Sequence, residues 1–231
     1  MKPRTFRWTW VFDLDNTLHN ATPHIFPHIN RSMTAYLQEH LLLDEAGASE
    51  LRTRYWHRYG ATLLGLMRHH GTDPDHFLRA THQFSELHRM VVRERAALAT
   101  LRRLQGRKIL FSNSPAHYAH AVLDILGLTP LFDAVYAIEH VRYEPKPLLG
   151  GFRRLLSNER VTPHRAVMVD DSLPNLRAAR LLGMKTVWVS RQPRAPDYVT
   201  VKVSSVRQLP RVLDRLGRAS PGAGAGRPAV A

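Results

Sequence analysis

The chain predicts an α/β fold: a mostly parallel sheet covered by helices on both faces, with a helical block inserted after the first strand. Three observations carry this expectation. From Lys108 onward, short apolar runs alternate strictly with segments of helical periodicity, the pattern of βαβ units. Ahead of them, Trp8-Thr9-Trp10-Val11-Phe12 is an aromatic and β-branched run that stops at Asp13, as a buried strand does when it delivers acids to the end of a sheet. Between the two, only helical spacing is found.

In chain order, Ile25 to Leu43 carries apolar groups at helical spacing, and Ser49 to His69 does so again through Leu51, Tyr55, Tyr59, Leu63 and Leu66. Asp73-Pro74 opens a third helix, with Asp as N-cap and Pro at its first position. Glu94 to Leu104 forms a fourth, ended by Gly106. Strands are then expected at Lys108–Phe111, Ala134–Ile138, Ala166–Val169 and Thr186–Val189, with Val201–Val203 at an edge. The helices between and after them run from Tyr118 to Leu126, Leu148 to Leu156, Leu176 to Leu182 and Val206 to Leu216. From Gly217 on, the residues are too poor in large apolar groups to fold and read as a disordered tail. The expected organisation is therefore a core of residues 1–20 and 92–216, a helical insertion over 21–91 and a tail over 217–231.

Composition excludes several functions. With 231 residues and 44% hydrophobic content the chain can bury a full core with a smaller inserted unit. It has no cysteine, which removes disulfides, thiolate metal sites and a cysteine nucleophile and suits a reducing compartment. No stretch is long enough to span a bilayer, and no targeting segment is visible, so a cytoplasmic protein is expected. The net charge of +14 attracts anions. Its arginines are scattered over helices with no block of like charge, so it reads as a solvated surface and not as a dedicated nucleic-acid module. The histidines His69, His70, His76, His82 and His88 follow no compact ligand pattern and read as surface residues of the helical insertion.

In an open α/β sheet, ligands bind outside the carboxyl ends of the strands. Polar signals fall there at Asp13 and Asp15, at Ser112-Asn113 and at Asp170-Asp171, while Lys146 is fixed between Pro145 and Pro147. Asp13 and Asp15 alone admit two readings: an Asx-type turn, or a pair of like charges that needs a hard cation such as Mg²⁺ between them. All the groups together could carry out phosphoryl transfer. A carboxylate attacks phosphorus, a second acid serves the leaving oxygen and then water, and hydroxyl, amide and ammonium donors hold the transferred oxygens.

These residues resemble the four ordered motifs of the haloacid dehalogenase-like (HAD) superfamily: Asp13-Leu14-Asp15-Asn16-Thr17, Ser112-Asn113, Lys146 and Asp170-Asp171. The resemblance covers residues from about 8 to 190. It implies a Rossmann-like core with a helical cap inserted after the first motif, Asp13 as nucleophile and Mg²⁺ ligand, and Asp15 as general acid/base whose main-chain carbonyl also meets the metal. It further implies Ser112, Asn113 and Lys146 as phosphate-binding groups, Asp171 as a metal ligand, and Asp170 as a second ligand or its outer partner. Dehalogenases of this superfamily lack a carboxylate two residues after the nucleophile, so Asp15 implies phosphate-ester chemistry. P-type ATPases carry a threonine there, together with membrane spans.

Within the superfamily, Tyr55 to Leu66, Phe111-Ser112-Asn113 and Val169 to Asn175 resemble the pyrimidine 5′-nucleotidase group. That resemblance implies a small phosphorylated metabolite, a nucleotide, as substrate, with Tyr55, Trp56, Tyr59 and Thr62 of the cap facing it. A sugar-phosphate phosphatase or phosphomutase would use the same site. A basic nucleic-acid-binding protein on this fold is the remaining alternative, supported by net charge alone.

Overall fold

The structure, a computed structural model, describes residues 8–94 and 97–217. Among these residues eight strands form: β1 (Thr9–Phe12), β2 (His19–Asn20), β3 (Val92–Arg93), β4 (Arg107–Phe111), β5 (Ala134–Tyr136), β6 (Ala166–Asp170), β7 (Lys185–Val189) and β8 (Val201–Val203). Six of them build one sheet in the order β5-β4-β1-β6-β7-β8, and every pair in it is parallel. β8 takes the expected edge. The short pair β2 and β3 is antiparallel and joins the two ends of the helical insertion.

The helices are α1 (Ile25–Leu41), α2 (Glu45–Tyr59), α3 (Thr62–His70), α4 (Pro74–Thr81), α5 (Leu87–Met90), α6 (Ala97–Arg103), α7 (Ala116–Leu126), α8 (Leu149–Asn158), α9 (Leu173–Leu181) and α10 (Leu213–Gly217). α1 to α5 lie between β1 and β4. α6 to α9 alternate with β4 to β7 as βαβ units require, while β7 passes to β8 without a helix and α10 follows β8. Of the tail expected over 217–231, Gly217 closes α10 instead, and 218–231 lie outside the described residues.

Alternation along the central strands explains why the sheet is covered on both sides. Trp10 and Phe12 of β1, Leu110 of β4, and Val167 and Val169 of β6 pack into one apolar cluster with α6 and α7. Their neighbours Val11, Ile109, Phe111 and Met168 point the other way, against α8, α9 and part of the insertion. A strand buried on both faces reads as a continuous apolar run, which is how β1, β4 and β6 are written in the sequence. The indole N–H of Trp10 donates to the carbonyl of Gln105 at 3.0 Å, so this wholly buried ring leaves no polar atom unsatisfied.

Two helical expectations are corrected. The periodic stretch from Ser49 to His69 is two helices, because Gly60 takes a left-handed conformation (φ +81°) and ends α2, with its N–H on the carbonyl of Trp56. α3 then folds back, and Gly65 lies under the Tyr55 ring, where a Cβ would come within 2.2 Å of that ring. The last expected helix, Val206 to Leu216, is 3₁₀ over Val206–Val212 and α-helical only afterwards. Pro210 removes an N–H from its middle. Asp73 caps α4 as expected, accepting from the N–H groups of Asp75 and His76.

Gly65→Ala should therefore cost about 1–3 kcal/mol by overpacking against Tyr55. Denaturant unfolding measures it, and the loss should shrink when the change is made in a Tyr55→Ala background.

Candidate active site

Asp13 directly follows β1, and its N–H donates to the carbonyl of Val169 at 2.9 Å, which draws the first acid toward the end of β6. Asp170 is the last residue of β6, and Asp171 is the next. The parallel pairing of β1 with β6 is thus what brings three carboxylates, far apart in sequence, to one place. One oxygen from each of Asp13, Asp170 and Asp171 lies within 4.8 Å of the others.

Lys146 enters from the loop before α8. Its ammonium donates to Asp13 Oδ1 at 2.7 Å and to Asp170 Oδ2 at 3.0 Å, and the side chain is buried. Burial alone would strip its proton, but the charges of Asp13 and Asp170 outweigh that and hold its pKa above the ordinary value. Asn113 fixes the lysine main chain. Its side-chain oxygen accepts from the Lys146 N–H at 2.8 Å, and its amide donates to the Lys146 carbonyl at 2.9 Å. Asn113, expected to hold phosphate, therefore acts on the lysine backbone. Ser112 is buried at the cleft; its Oγ accepts from the Ser114 N–H at 3.0 Å, which leaves its own O–H to donate.

The two acids of the first motif sit in different fields. Burial pushes Asp13 well above the usual carboxylate range; Lys146 opposes this, while Asp170, Asp171 and Asp15 add to it. Burial acts on Asp15 in the same sense but loses. His19 Nε2 at 2.9 Å and the Tyr118 hydroxyl at 2.6 Å meet its Oδ1, the Ser114 hydroxyl at 3.0 Å meets Oδ2, and the carboxyl lies below its ordinary value. The Asx turn weighed for this stretch does not form at Asp13 or Asp15, whose carboxylates meet side-chain groups instead. Asn16, at φ +60°, accepts on its side-chain oxygen from the Ala21 N–H and the Thr22 hydroxyl where the chain leaves for the insertion.

Asp170 and Asp171 divide as well. Asp170 accepts from the Ser172 N–H, Asn175 Nδ2 and Lys146 Nζ, so both its oxygens are engaged. Asp171 lines the cleft, and burial followed by the charge of Asp170 raises its pKa to about 6. Three carboxylates with too few cationic partners are a donor set suited to a hard divalent cation, for which Asp13 and Asp171 offer open oxygens and Asp170 an outer support.

A cleft of about 820 Å³ lies over this cluster, between the strand ends and the helical insertion. Of the four cap residues expected to face a substrate, Thr62 and Trp56 line it, and Tyr55 and Tyr59 do not. Tyr55 and Tyr59 are corrected: their hydroxyls turn to His70 and His69 of α3, because the break at Gly60 folds α3 onto that side of α2. The Thr62 hydroxyl donates to the carbonyl of Arg52 at 3.0 Å, so it holds the α2–α3 corner. His82, expected at the surface, is buried against Tyr118 and is pushed down to about 4 by that burial.

The sequence reading did not find Tyr118, His19, Ser114 and Asn175. Tyr118 carried only the helical period of α7. His19 and Ser114 stood out solely by their nearness to Asp15 and Ser112.

A family description, haloacid dehalogenase-like hydrolase, matches residues 9–183. The chain belongs to this family. A phosphate metabolism protein of Saccharomyces cerevisiae is 24% identical over 197 residues, 79% of this chain, which spans 61% of the yeast protein's length. A phosphoglycolate phosphatase of Rhodospirillum rubrum is 28% identical over 205 residues, 78% of each chain. Among solved structures, a HAD phosphatase from Thermococcus onnurineus shares the fold, with a TM-score of 0.63, 22% identity and coverage of 89% of this chain and 97% of that one. Among the described residues, no helix is long and apolar enough to cross a membrane.

For the cation-free protein, the raised pKa of Asp171 sets a pH dependence. The neutral carboxyl favours the folded state, so its contribution is fully present below 3.8 and is lost as the pH rises through about 6. Asp171→Asn keeps the neutral form throughout. Its melting temperature should exceed that of the unchanged protein at pH above 6 and converge with it at pH below 4; a pH-independent difference would assign the effect to packing.

Proposed function

We propose that this HAD-family hydrolase is a Mg²⁺-dependent phosphomonoesterase working through an aspartyl phosphate on Asp13, and that its substrate is a nucleoside monophosphate, in the first place a pyrimidine one. The observation that carries the chemistry is the pairing of a buried Lys146 ammonium on Asp13 with a separately held Asp15 two residues on. The relatives named for phosphate-ester hydrolysis support the reaction type. The nucleotide rests on the resemblance of residues 55–66, 111–113 and 169–175 to the pyrimidine 5′-nucleotidase group.

Asp13 and Asp171, with the main-chain carbonyl of Asp15, would hold Mg²⁺, whose bound charge favours the ionised carboxylate that Asp13 needs and offsets the charge of the arriving phosphate. An oxygen of Asp13 attacks phosphorus while the bond to the ester oxygen breaks. The leaving oxygen takes a proton from Asp15, and Asp15 afterwards removes one from the water that attacks the aspartyl phosphate, so protons balance over the cycle. Asp15 is held as a carboxylate by its three donors, the state its second task needs. A phosphate brought beside it raises its pKa by like-charge repulsion and prepares it for the first. Lys146 and the Ser112 hydroxyl hold the phosphoryl oxygens in both halves.

In this reading residues 21–91 act as a cap over a core of 1–20 and 92–216, and close the cleft against water. A sugar-phosphate phosphatase is the reading next in line, since the core meets only the phosphoryl group.

The decisive test is phosphate release over nucleoside monophosphates and sugar phosphates, with Mg²⁺ and with a chelator. Asp13→Asn should lower release by several orders of magnitude while the far-UV circular dichroism stays native, and near-normal turnover would sink the covalent route. Asp15→Asn should lose less activity on an activated aryl phosphate, whose leaving group needs little acid help, than on a nucleotide. Equal losses on both would leave Asp15 a structural role only.

A further inference from the structure

Of the cap residues that could read a nucleobase, the sequence points to Trp56 but not to Arg52. Arg52 and Trp56 stand four residues apart on α2, hence on one face of that helix, and both line the cleft that holds Asp13. Trp56 is 57% exposed although its indole is large and apolar. Nearby Tyr55 and Tyr59 have their hydroxyls engaged with α3.

Arg52 has half a setting. Its Nη1 donates to Asn30 Oδ1 at 2.9 Å and its carbonyl accepts from Thr62, yet its Nε is buried without a hydrogen-bond partner. No ion pair joins it to a carboxylate among the described residues. That Nε is out of a ligand's reach, but Nη2 makes no hydrogen bond among the described residues, so the fork keeps N–H groups for acceptor atoms that arrive in the cleft.

Their place along α2 fits a base on a sugar. Gly60, at the end of this helix, approaches the loop of Lys146; a Cβ there would lie 3.7 Å from Pro147. With a rise of 1.5 Å per residue, Trp56 and Arg52 stand about 6 and 12 Å back along the helix from that contact. The phosphate donors of the core and the ring and fork of the cap are thus separated along one cleft.

Resting on the nucleotide reading above, we infer that Trp56 stacks on the base and that Arg52 donates to its ring carbonyls, which makes the site selective for a carbonyl-bearing nucleobase over adenine. Every base offers a face for stacking, so Trp56 favours nucleotides in general. Cytosine and uracil share the ring carbonyl O2, whereas adenine has no carbonyl and offers the fork only ring nitrogens. Arg52 therefore supplies the discrimination and Trp56 the affinity.

The test is kcat/KM for CMP, UMP, AMP, ribose 5-phosphate and phosphoglycolate, with the unchanged protein and with Arg52→Met, Arg52→Lys and Trp56→Leu. The unchanged protein should prefer CMP and UMP to AMP and to ribose 5-phosphate. Arg52→Met should lower CMP and UMP relative to ribose 5-phosphate by roughly ten- to a hundred-fold, mainly through KM, and bring AMP level with them. Arg52→Lys, which keeps the charge but not the planar fork, should recover only part of the preference, and it replaces Arg52→Met if that variant melts early. Trp56→Leu should lower all three nucleotides by a similar factor.

If CMP and UMP keep their advantage in both Arg52 variants, or if AMP equals them in the unchanged protein, the inference fails while the nucleotide reading stands. A selective loss on phosphoglycolate in Arg52→Met would make Arg52 a carboxylate reader and overturn it as well. If the unchanged protein releases phosphate from the other esters but from no nucleotide, the nucleotide reading itself fails, and this inference with it.

Discussion

A lysine ammonium buried between two carboxylates is the interaction on which the rest of this structure depends. Lys146 Nζ reaches Asp13 at 2.7 Å and Asp170 at 3.0 Å, and none of the three groups is freely solvated. Burying these charges is unfavourable by itself, and removing one partner of such a set typically costs about 3–5 kcal/mol because the other is left uncompensated. Each member is consequently fixed from behind: Lys146 through Asn113, Asp170 through Ser172 and Asn175, and Asp13 through Val169. Burial, and after it the excess of four carboxylates over one lysine, make Asp13 and Asp171 bind protons more readily than ordinary acids. The same excess makes Asp13, Asp170 and Asp171 a donor set that would suit a divalent cation.

The sheet supplies the precision that this arrangement needs. β1 lies between β4 and β6 in parallel register, so the residues that follow each strand emerge at one edge: Asp13 after β1, Ser112 after β4 and Asp170 at the end of β6. Aromatic and β-branched side chains on both faces hold that register, because a slip by one residue would turn Trp10 and Phe12 out of their cluster and Val11 into it. Packing of the core and placement of the site are thus one constraint, met by the same short strands.

That coupling explains what could be read from sequence and what could not. The carboxylates and Lys146 stand beside strand ends or prolines, and these local marks survive in one dimension. Tyr118 acts on Asp15 from across the fold and His19 from the start of the insertion, and neither carries a local mark of that role in the sequence. The break at Gly60 was hidden because apolar spacing continues through it from Tyr55 to Leu66; only its left-handed backbone separates α2 from α3. Tyr55 and Tyr59 were misplaced for that same reason, since a continuous helix would not have brought His69 and His70 back beside them. The division between Asp170 and Asp171 was legible only through the family resemblance, because two adjacent identical residues differ only in which way the chain turns after β6.

The link between insertion and core adds a last constraint. His19 belongs to β2, which pairs with β3 where the chain returns from the helical insertion, and the ring of this same residue meets Asp15 at 2.9 Å. The backbone that carries the insertion and one of the donors that keep Asp15 ionised are therefore a single element. Any displacement of the β2–β3 pair moves His19 against Asp15, whereas Tyr118 and Ser114 stay with the core. In the acid–base role proposed for Asp15, the pair of core donors would keep the carboxyl in place while the His19 contact ties its charge to the β2–β3 pair. The geometry of the cap's attachment and the protonation of the acid are in this way physically one problem, although the residues that express it lie in different structural units.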